Sequence, residues 1–449
     1  MPPRSRHGRH GRRAQRPARH DRAAAPLHGR RPAGGGRRLK RLSFEDASQF
    51  LFSRQSGRIK WSLGPTEALL DVLGHPERQF PIVHVGGTNG KGSTCAFIAA
   101  DLAARGFKVG VYTSPHLVSV RERVLVDGVP IDPDAFAEWT AYLKSHIERV
   151  EASFFEATTA IAFADIAARG ADIGVIEVGL GGRLDATNVV RPLVSVVTKI
   201  AREHTDYLGW ELESIAREKA GIAKPGVPFV TGEQDPGIRD VLVREARGHG
   251  AEPIVPLDWR AGHDEPVGPL GLLGAHQRVN ARVALAALAA LPAPFAPPQI
   301  AGRWPRSFAE VFVAGRFDVR GRWIFDVAHN PDGAGVLADT LRDYNPPGPK
   351  HALVGVLGDK DYLGMITALA TQIDRFVFTM PGTAPAKRRW SLERLAAELA
   401  TRAVPAQFEP DFDTALERVQ DGAETIVVTG SFHTVGDALA RLPGFAPVG

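Results

Sequence analysis

From Leu42 onward, short apolar runs alternate with amphipathic stretches that end in glycine, the rhythm of βαβ units built on a parallel sheet. The pattern predicts strands at Ile82–Val85, Val109–Thr113, Ile173–Val178, Leu193–Thr198 and Phe229–Thr231, with helices such as Ser93–Arg105 and Ser214–Ala223 between them. A Pro-rich stretch, Leu291–Gln299, breaks the rhythm. It restarts with strands Trp323–Asp326, Ala352–Leu357, Arg375–Thr379 and Thr425–Thr429, alternating with helices near 333–343, 363–371, 391–400 and 412–420. The expected architecture is a larger α/β domain with a parallel sheet over 42–311 and a smaller, Rossmann-like α/β domain over 312–449, joined by a semi-rigid linker. No short-period internal repeat is visible.

Composition changes this picture at one end only. The 449 residues are 44% hydrophobic and 23% charged, ordinary for a globular chain, and no apolar run approaches the roughly 18 residues of a membrane span. A single cysteine, Cys95, excludes internal disulfides and multi-cysteine metal sites and fits a cytoplasmic protein. The net charge of +5 suggests nucleic acid until its distribution is read. Residues 1–41 hold 14 of the 55 Lys and Arg and one acid, Asp21, so the remainder carries 41 basic against 49 acidic side chains. The body is acidic and the basicity belongs to the tail. That tail is Arg, Gly, Pro and His with almost nothing apolar, and is expected to be disordered. Three readings of it stand: an RNA-binding arm, a targeting peptide lacking a secretory apolar core, or an upstream extension without function.

The sharpest candidate chemistry is Pro81-Ile-Val-His-Val-Gly-Gly-Thr-Asn-Gly-Lys-Gly-Ser-Thr94, a strand, a glycine-rich turn and an alanine-rich helix in that order. Glycines let backbone N–H groups close on phosphate oxygens, the helix N-terminus adds positive potential, and Lys91 adds a mobile charge. Ser93 or Thr94 then offers a hydroxyl to the Mg²⁺ that accompanies a nucleotide. Val85 occupies the first glycine position of the general phosphate-loop pattern, and Gly92 separates Lys91 from Ser93. The turn points to a nucleoside triphosphate.

Other residues are ambiguous when taken alone. Glu177 ends an apolar strand where open α/β sheets place ligands, which suits a Mg²⁺ ligand or a solvated capping acid. His204 holds a similar position, yet a lone loop histidine is more often structural. Lys219 on a helix reads first as a snorkelling lysine. His276 and Asn280 share a helix face with Gln277 beside them, which also describes a polar surface stripe.

Gly87-Thr-Asn-Gly-Lys-Gly-Ser93 resembles the phosphate loop of the Mur ligase superfamily of ATP-dependent amide-forming ligases. Thr113-Ser-Pro-His-Leu117, Phe155-Glu-Ala-Thr-Thr159, Glu177-Val-Gly-Leu-Gly-Gly-Arg-Leu-Asp-Ala-Thr-Asn188, His204-Thr-Asp-Tyr-Leu-Gly209 and Glu218-Lys-Ala-Gly-Ile222 narrow the resemblance to the folylpolyglutamate synthase and dihydrofolate synthase family. Gly274-Ala-His-Gln-Arg-Val-Asn-Ala281, Gly315-Arg316 and Asp326-Val-Ala-His-Asn-Pro331 continue it, in the family's order, over about 43–440. The resemblance implies a Mur-ligase-like ATPase domain followed by a glutamate-ligase domain. It implies ATP on Gly87, Thr88, Asn89, Gly90, Lys91, Gly92, Ser93 and Thr94, with Gln277 and Asn280 at the adenine and Arg316 and Asp326 reaching phosphates and ribose. Two Mg²⁺ ions are implied, held through Ser93, Ser114, Glu177 and His204, and Lys219 is carbamylated. Where the family has aspartate before the histidine, this chain has Glu203. The pterin side is expected at the 56–64 loop with Lys60 and Trp61, and at Ser114, Pro115, His116, Arg123 and Phe155. Trp61 either stacks on the heterocycle or packs its loop down. His329 is placed in the cleft, and Ser431 beside the incoming glutamate.

The implied reaction is ATP-dependent coupling of a folate or dihydropteroate carboxylate to the amine of L-glutamate through an acyl phosphate, with Lys91, Lys219, His204 and Arg316 at the chemistry. The implied setting is a cytoplasmic monomer without membrane or nucleic-acid partners. A P-loop kinase or ATPase shares the loop but gives no reason for the second domain. A muramyl-peptide ligase would be expected to carry a UDP-sugar-binding domain ahead of the loop, where this sequence has its tail and about forty residues.

Overall fold

The computed structural model describes residues 42–55, 62–258, 266–297, 302–402 and 404–447. The basic tail, Lys60, Trp61 and residues 298–301 lie outside them.

Eight strands form the first sheet: β1 (Ile82–Gly86), β2 (Val109–Tyr112), β3 (Val124–Val126), β4 (Val129–Pro130), β5 (Ile173–Glu177), β6 (Val194–Val197), β7 (Phe229–Thr231) and β8 (Ile254–Pro256). Their spatial order is β4-β3-β2-β5-β1-β6-β7-β8. The five predicted strands are all present and pair in parallel, and the short β3 and β4 add an antiparallel edge. Central strands read as continuous apolar runs because both faces are covered. Ile82 and Ile176 point into a layer built on the helices Pro133–Val150 and Phe154–Ala168. Val83, Val85 and Val175 point the other way, to the helices Lys91–Ala104 and Ala275–Ala289.

Six strands form the second sheet: β9 (Asp318–Arg320), β10 (Trp323–Phe325), β11 (Lys350–Val354), β12 (Arg375–Phe378), β13 (Ala406–Phe408) and β14 (Thr425–Thr429). The order is β13-β12-β11-β14-β10-β9, with only β9 antiparallel. Alternation again serves two apolar layers, with Phe376 and Phe378 on one side of β12 and Val377 on the other.

The Pro-rich stretch, expected as a linker, is fastened to the first domain over its described part. Phe295 packs on Phe107 with ring centroids 4.9 Å apart, and Arg105 donates to the Phe295 carbonyl at 2.8 Å. Beyond it Trp304, Phe308 and Val311 are buried in the same layer as Phe97.

The domains are stitched by a loop of the first. Leu117 and Val118 pack against the apolar layer of the second sheet, beside Val435. The helix Phe432–Arg441 approaches so closely that a Cβ on Gly436 would lie 2.1 Å from the Leu117 carbonyl oxygen. Gly436→Ala should therefore push helix and loop apart and lower the melting temperature, since overpacking costs about 1–3 kcal/mol; an unchanged melt would mean the contact is slack.

Candidate active site

The carboxyl ends of β1, β5 and β6 converge on one loop. Thr88 N–H donates to the Lys199 carbonyl at 2.8 Å, and Thr198 Oγ1 donates to the Asn89 carbonyl at 2.8 Å, so the turn after β1 is laced to the end of β6. Gly87 (φ 134°) and Gly90 (φ 89°) have backbone angles that side chains resist. A Cβ on Gly87 would lie 1.9 Å from Thr198 Oγ1, and one on Gly90 2.2 Å from Asn280 Oδ1. Asn280 and Gln277 are buried and joined at 2.9 Å, so they form the wall of the loop and not a surface stripe. The Lys91–Ala104 helix begins here with no side-chain cap, leaving its first N–H groups for another acceptor. Ser93 and Thr94 are buried in its first turn, and Thr94 Oγ1 has no partner.

Glu177 ends β5 directly opposite. It is 3% exposed, which rules out a solvated capping acid. Its Oε2 accepts the Ser114 N–H at 2.9 Å and its Oε1 lies 4.0 Å from Lys91 Nζ. Burial pushes the carboxyl up, against the pull of Lys91, the Ser114 N–H, Arg316 and Arg123. Gly92 leaves the space in front open, since a Cβ there would stand 3.8 Å from the carboxylate. Lys91 Nζ also donates to the Thr88 carbonyl at 3.0 Å.

Lys219 does not snorkel. It is 4% exposed and donates to the Gly87 carbonyl at 2.9 Å, on the underside of the phosphate loop. Burial first, then Lys91, lowers its pKa to about 7. His204 sits in a left-handed conformation (φ 53°) on the loop after β6. Burial lowers its pKa to about 4, with Lys360, Lys219 and Lys91 assisting and Glu203 opposing.

The second domain closes the site with the ends of β10 and β14. Arg316 lies over the Phe432 ring at 5.4 Å and acts electrostatically on both Glu177 and Asp326. Asp326 accepts the N–H groups of Phe317 and Ala328, each at 2.9 Å, and burial pushes its carboxyl up against Arg316. His329 crosses the cleft: Nδ1 bonds the Val327 carbonyl at 2.9 Å and Nε2 bonds Glu203 Oε1 at 2.8 Å. Burial acts to raise the Glu203 carboxyl, but the hydrogen bond and charge of His329, with His204 and Lys91 behind it, hold it well below the usual range. Asn330 caps the Pro331–Tyr344 helix.

The expected pterin side is a packed cluster beside Glu177. Pro115 follows a cis peptide bond after Ser114. Arg123 is buried, donates to His116 Nδ1 at 2.8 Å and lies over Phe154 at 5.0 Å. Burial, followed by Arg123 and His433, lowers the His116 pKa to about 3. Phe155 lies against the turn after Glu177, where a Cβ on Gly179 would meet its ring at 2.3 Å. Ser431 is buried and caps the Phe432–Arg441 helix through the Thr434 N–H at 3.1 Å. Lys60 and Trp61 fall outside the described residues. Single-residue reasoning missed Thr198, Lys199 and Asp332, and read Glu203 only as a departure from the family.

These residues fit an anion next to a divalent cation. The glycine cradle and uncapped helix start suit phosphate, and the Glu177 carboxylate remains raised by burial despite Lys91, the Ser114 N–H and the two arginines, which suits a cation beside it. Among the described residues no three His, Cys, Asp or Glu side chains gather as a ready-made metal site, so phosphate oxygens would have to complete the coordination.

A phosphate loop facing the strand ends of a second α/β domain defines the class. Residues 85–241 match the Mur ligase middle domain and residues 315–432 the Mur ligase glutamate ligase domain. The dihydrofolate synthase/folylpolyglutamate synthase of Bacillus subtilis (strain 168) is 32% identical over 439 residues, covering 89% of this chain and 99% of that protein. The solved Mycobacterium tuberculosis folylpolyglutamate synthase complexed with ADP superposes with TM-score 0.78 at 34% identity, covering 88% and 97% of the two chains. The Yersinia pestis bifunctional folylpolyglutamate synthase/dihydrofolate synthase complexed with AMPPNP and Mn ion gives 0.77 at 30% identity, covering 89% and 98%. This chain belongs to the dihydrofolate synthase/folylpolyglutamate synthase family.

The Glu203–His329 bond joins the domains within the site, so a double-mutant cycle of Glu203→Gln and His329→Ala read by denaturant unfolding should give a coupling of about 1–3 kcal/mol. Additive effects would show that the pair carries no cross-domain energy.

Proposed function

We propose that this protein is an ATP-dependent ligase that adds L-glutamate to a folate carboxylate, acting both on dihydropteroate and on reduced folates, with domains divided at 311/312. The observation that carries the reading is that the second domain's Arg316 acts on Glu177, beside Lys91 at the mouth of the phosphate loop, while its His329 bonds Glu203 of the first domain. The bifunctional activity is supported by the name of the Bacillus subtilis relative. Among the described residues no helix is long and apolar enough to cross a membrane, and the one cysteine is buried and free, which suits a cytoplasmic setting.

The loop amides, Lys91 and Arg316 are placed to take up charge as the terminal phosphoryl group of ATP moves to the substrate carboxylate. A carboxylate oxygen is a poor leaving group; phosphate is a good one, so the glutamate amine then attacks the acyl phosphate and phosphate departs. Water would destroy that intermediate, and the stitching of the two domains around the cleft keeps it out. Glu177, His204 and the hydroxyls of Ser93 and Ser114 would hold Mg²⁺, which when bound neutralises phosphate oxygens.

Lys219 supports the same reading. Its amine, with a pKa near 7, becomes neutral as pH rises through that value, and a neutral amine adds CO₂ to give a carbamate and a proton. The product is an anionic oxygen ligand beneath the phosphate loop, next to Lys91.

Purified protein should consume ATP only when both glutamate and a pterin acid are present, and Lys91→Ala should lower kcat by roughly a hundredfold or more. Acceptor-independent ATP turnover would favour a kinase or ATPase. At fixed dissolved CO₂, ¹³C NMR should show a carbamate resonance that grows between about pH 6 and about pH 8 and vanishes in Lys219→Ala; a resonance shared by both proteins, or none, would remove the carbamate from the account.

A further inference from the structure

Asp332 stands in the first turn of the Pro331–Tyr344 helix, where an acid needs no explanation beyond the helix dipole. Its two carboxylate oxygens nevertheless take different partners from the other domain. Oδ2 accepts from Asn89 Nδ2 of the phosphate loop at 2.7 Å, and Oδ1 pairs with Lys199 Nζ. Asn89 and Lys199 already pair through their backbones as an isolated bridge, and Thr88 and Thr198 reinforce the same lacing. One carboxylate thus gathers the two side chains of a backbone pair at the tip of the nucleotide cradle.

We infer that Asp332 is a positioning residue that pins the tip of the phosphate loop to the second domain, so that the order of the nucleotide cradle depends on domain docking. The inference rests on the ATP-dependent ligase reading and adds a residue to it. Lys199 and Asp332 are 40% and 34% exposed, so solvent screens their charge attraction and the Asn89 hydrogen bond carries the geometry. Without that acceptor the Asn89 side chain loses its anchor, and the loop tip keeps only its lacing to the end of β6, so that the nucleotide must supply the rest of its order. The cost then falls on nucleotide affinity, while the reacting groups around Glu177 are untouched.

The test compares wild type, Asp332→Ala and Asp332→Asn, the last keeping an oxygen acceptor for Asn89. Hydrogen–deuterium exchange of residues 86–90 in nucleotide-free protein should be faster in Asp332→Ala and close to wild type in Asp332→Asn. In steady-state assays Asp332→Ala should raise KM for ATP about tenfold, the order expected for losing a hydrogen bond to a charged acceptor, with kcat changed less than about twofold and KM restored in Asp332→Asn. Wild-type exchange and KM in Asp332→Ala would overturn the inference. Equal impairment of both variants would overturn it too, by assigning the effect to charge at the helix start. Wild-type protein without ATP turnover would instead refute the ligase reading, and the exchange measurement would still decide the pin.

Discussion

A buried carboxylate at the end of one strand and a half-buried lysine in the first turn of the helix that follows its neighbour organise this molecule. Glu177 stands 4.0 Å from Lys91 and is itself out of reach of water, so burial works against the charged form of the acid. Such an arrangement is costly unless further charges are brought to it. The phosphate loop, its uncapped helix and the arginine of the second domain are the means by which a polyanion and a cation are received there together. The rigid three-layer packing below, with both faces of β1 and β5 covered, holds the two side chains at that separation.

The second domain supplies what the first lacks. Its strand ends meet those of the larger sheet, and its side chains act on the same cleft: His329 bonds Glu203, Asp332 bonds Asn89, and the charge of Arg316 favours the ionised Glu177. The apolar contact of Leu117 with the second sheet's layer sets the distance at which these polar contacts form. Domain docking and site assembly are therefore one event, which suits a reaction whose intermediate must be kept from water.

Much of this was legible in the chain. Strands buried on both faces announce themselves as apolar runs, and Phe229–Thr231 and Thr425–Thr429 were read to the residue. The strands β3, β4, β8, β9 and β13 were not, because two or three residues at or next to a sheet edge are not buried on both faces and carry no period of their own. The helix Phe154–Ala168 is apolar nearly all round and so lacks the stripe that marks a surface helix, although its Ser153–Glu156 capping box was there to be seen. In the site, residues within one motif were recognisable together. Pairings across domains were not: 243 positions separate Asn89 from Asp332 and 126 separate Glu203 from His329, and no periodicity links them. Lys219 is the clearest failure of residue-by-residue reasoning, since nothing local says that its ammonium points inward under Gly87.

The central claim is that the triphosphate activates an acid. It is tested most directly by supplying a pterin substrate whose free carboxylate carries ¹⁸O, with ATP and glutamate, and weighing the inorganic phosphate released. The account predicts that each turnover moves a labelled oxygen from carboxylate to phosphate. Unlabelled phosphate accompanying amide product would show that the carboxylate is never phosphorylated.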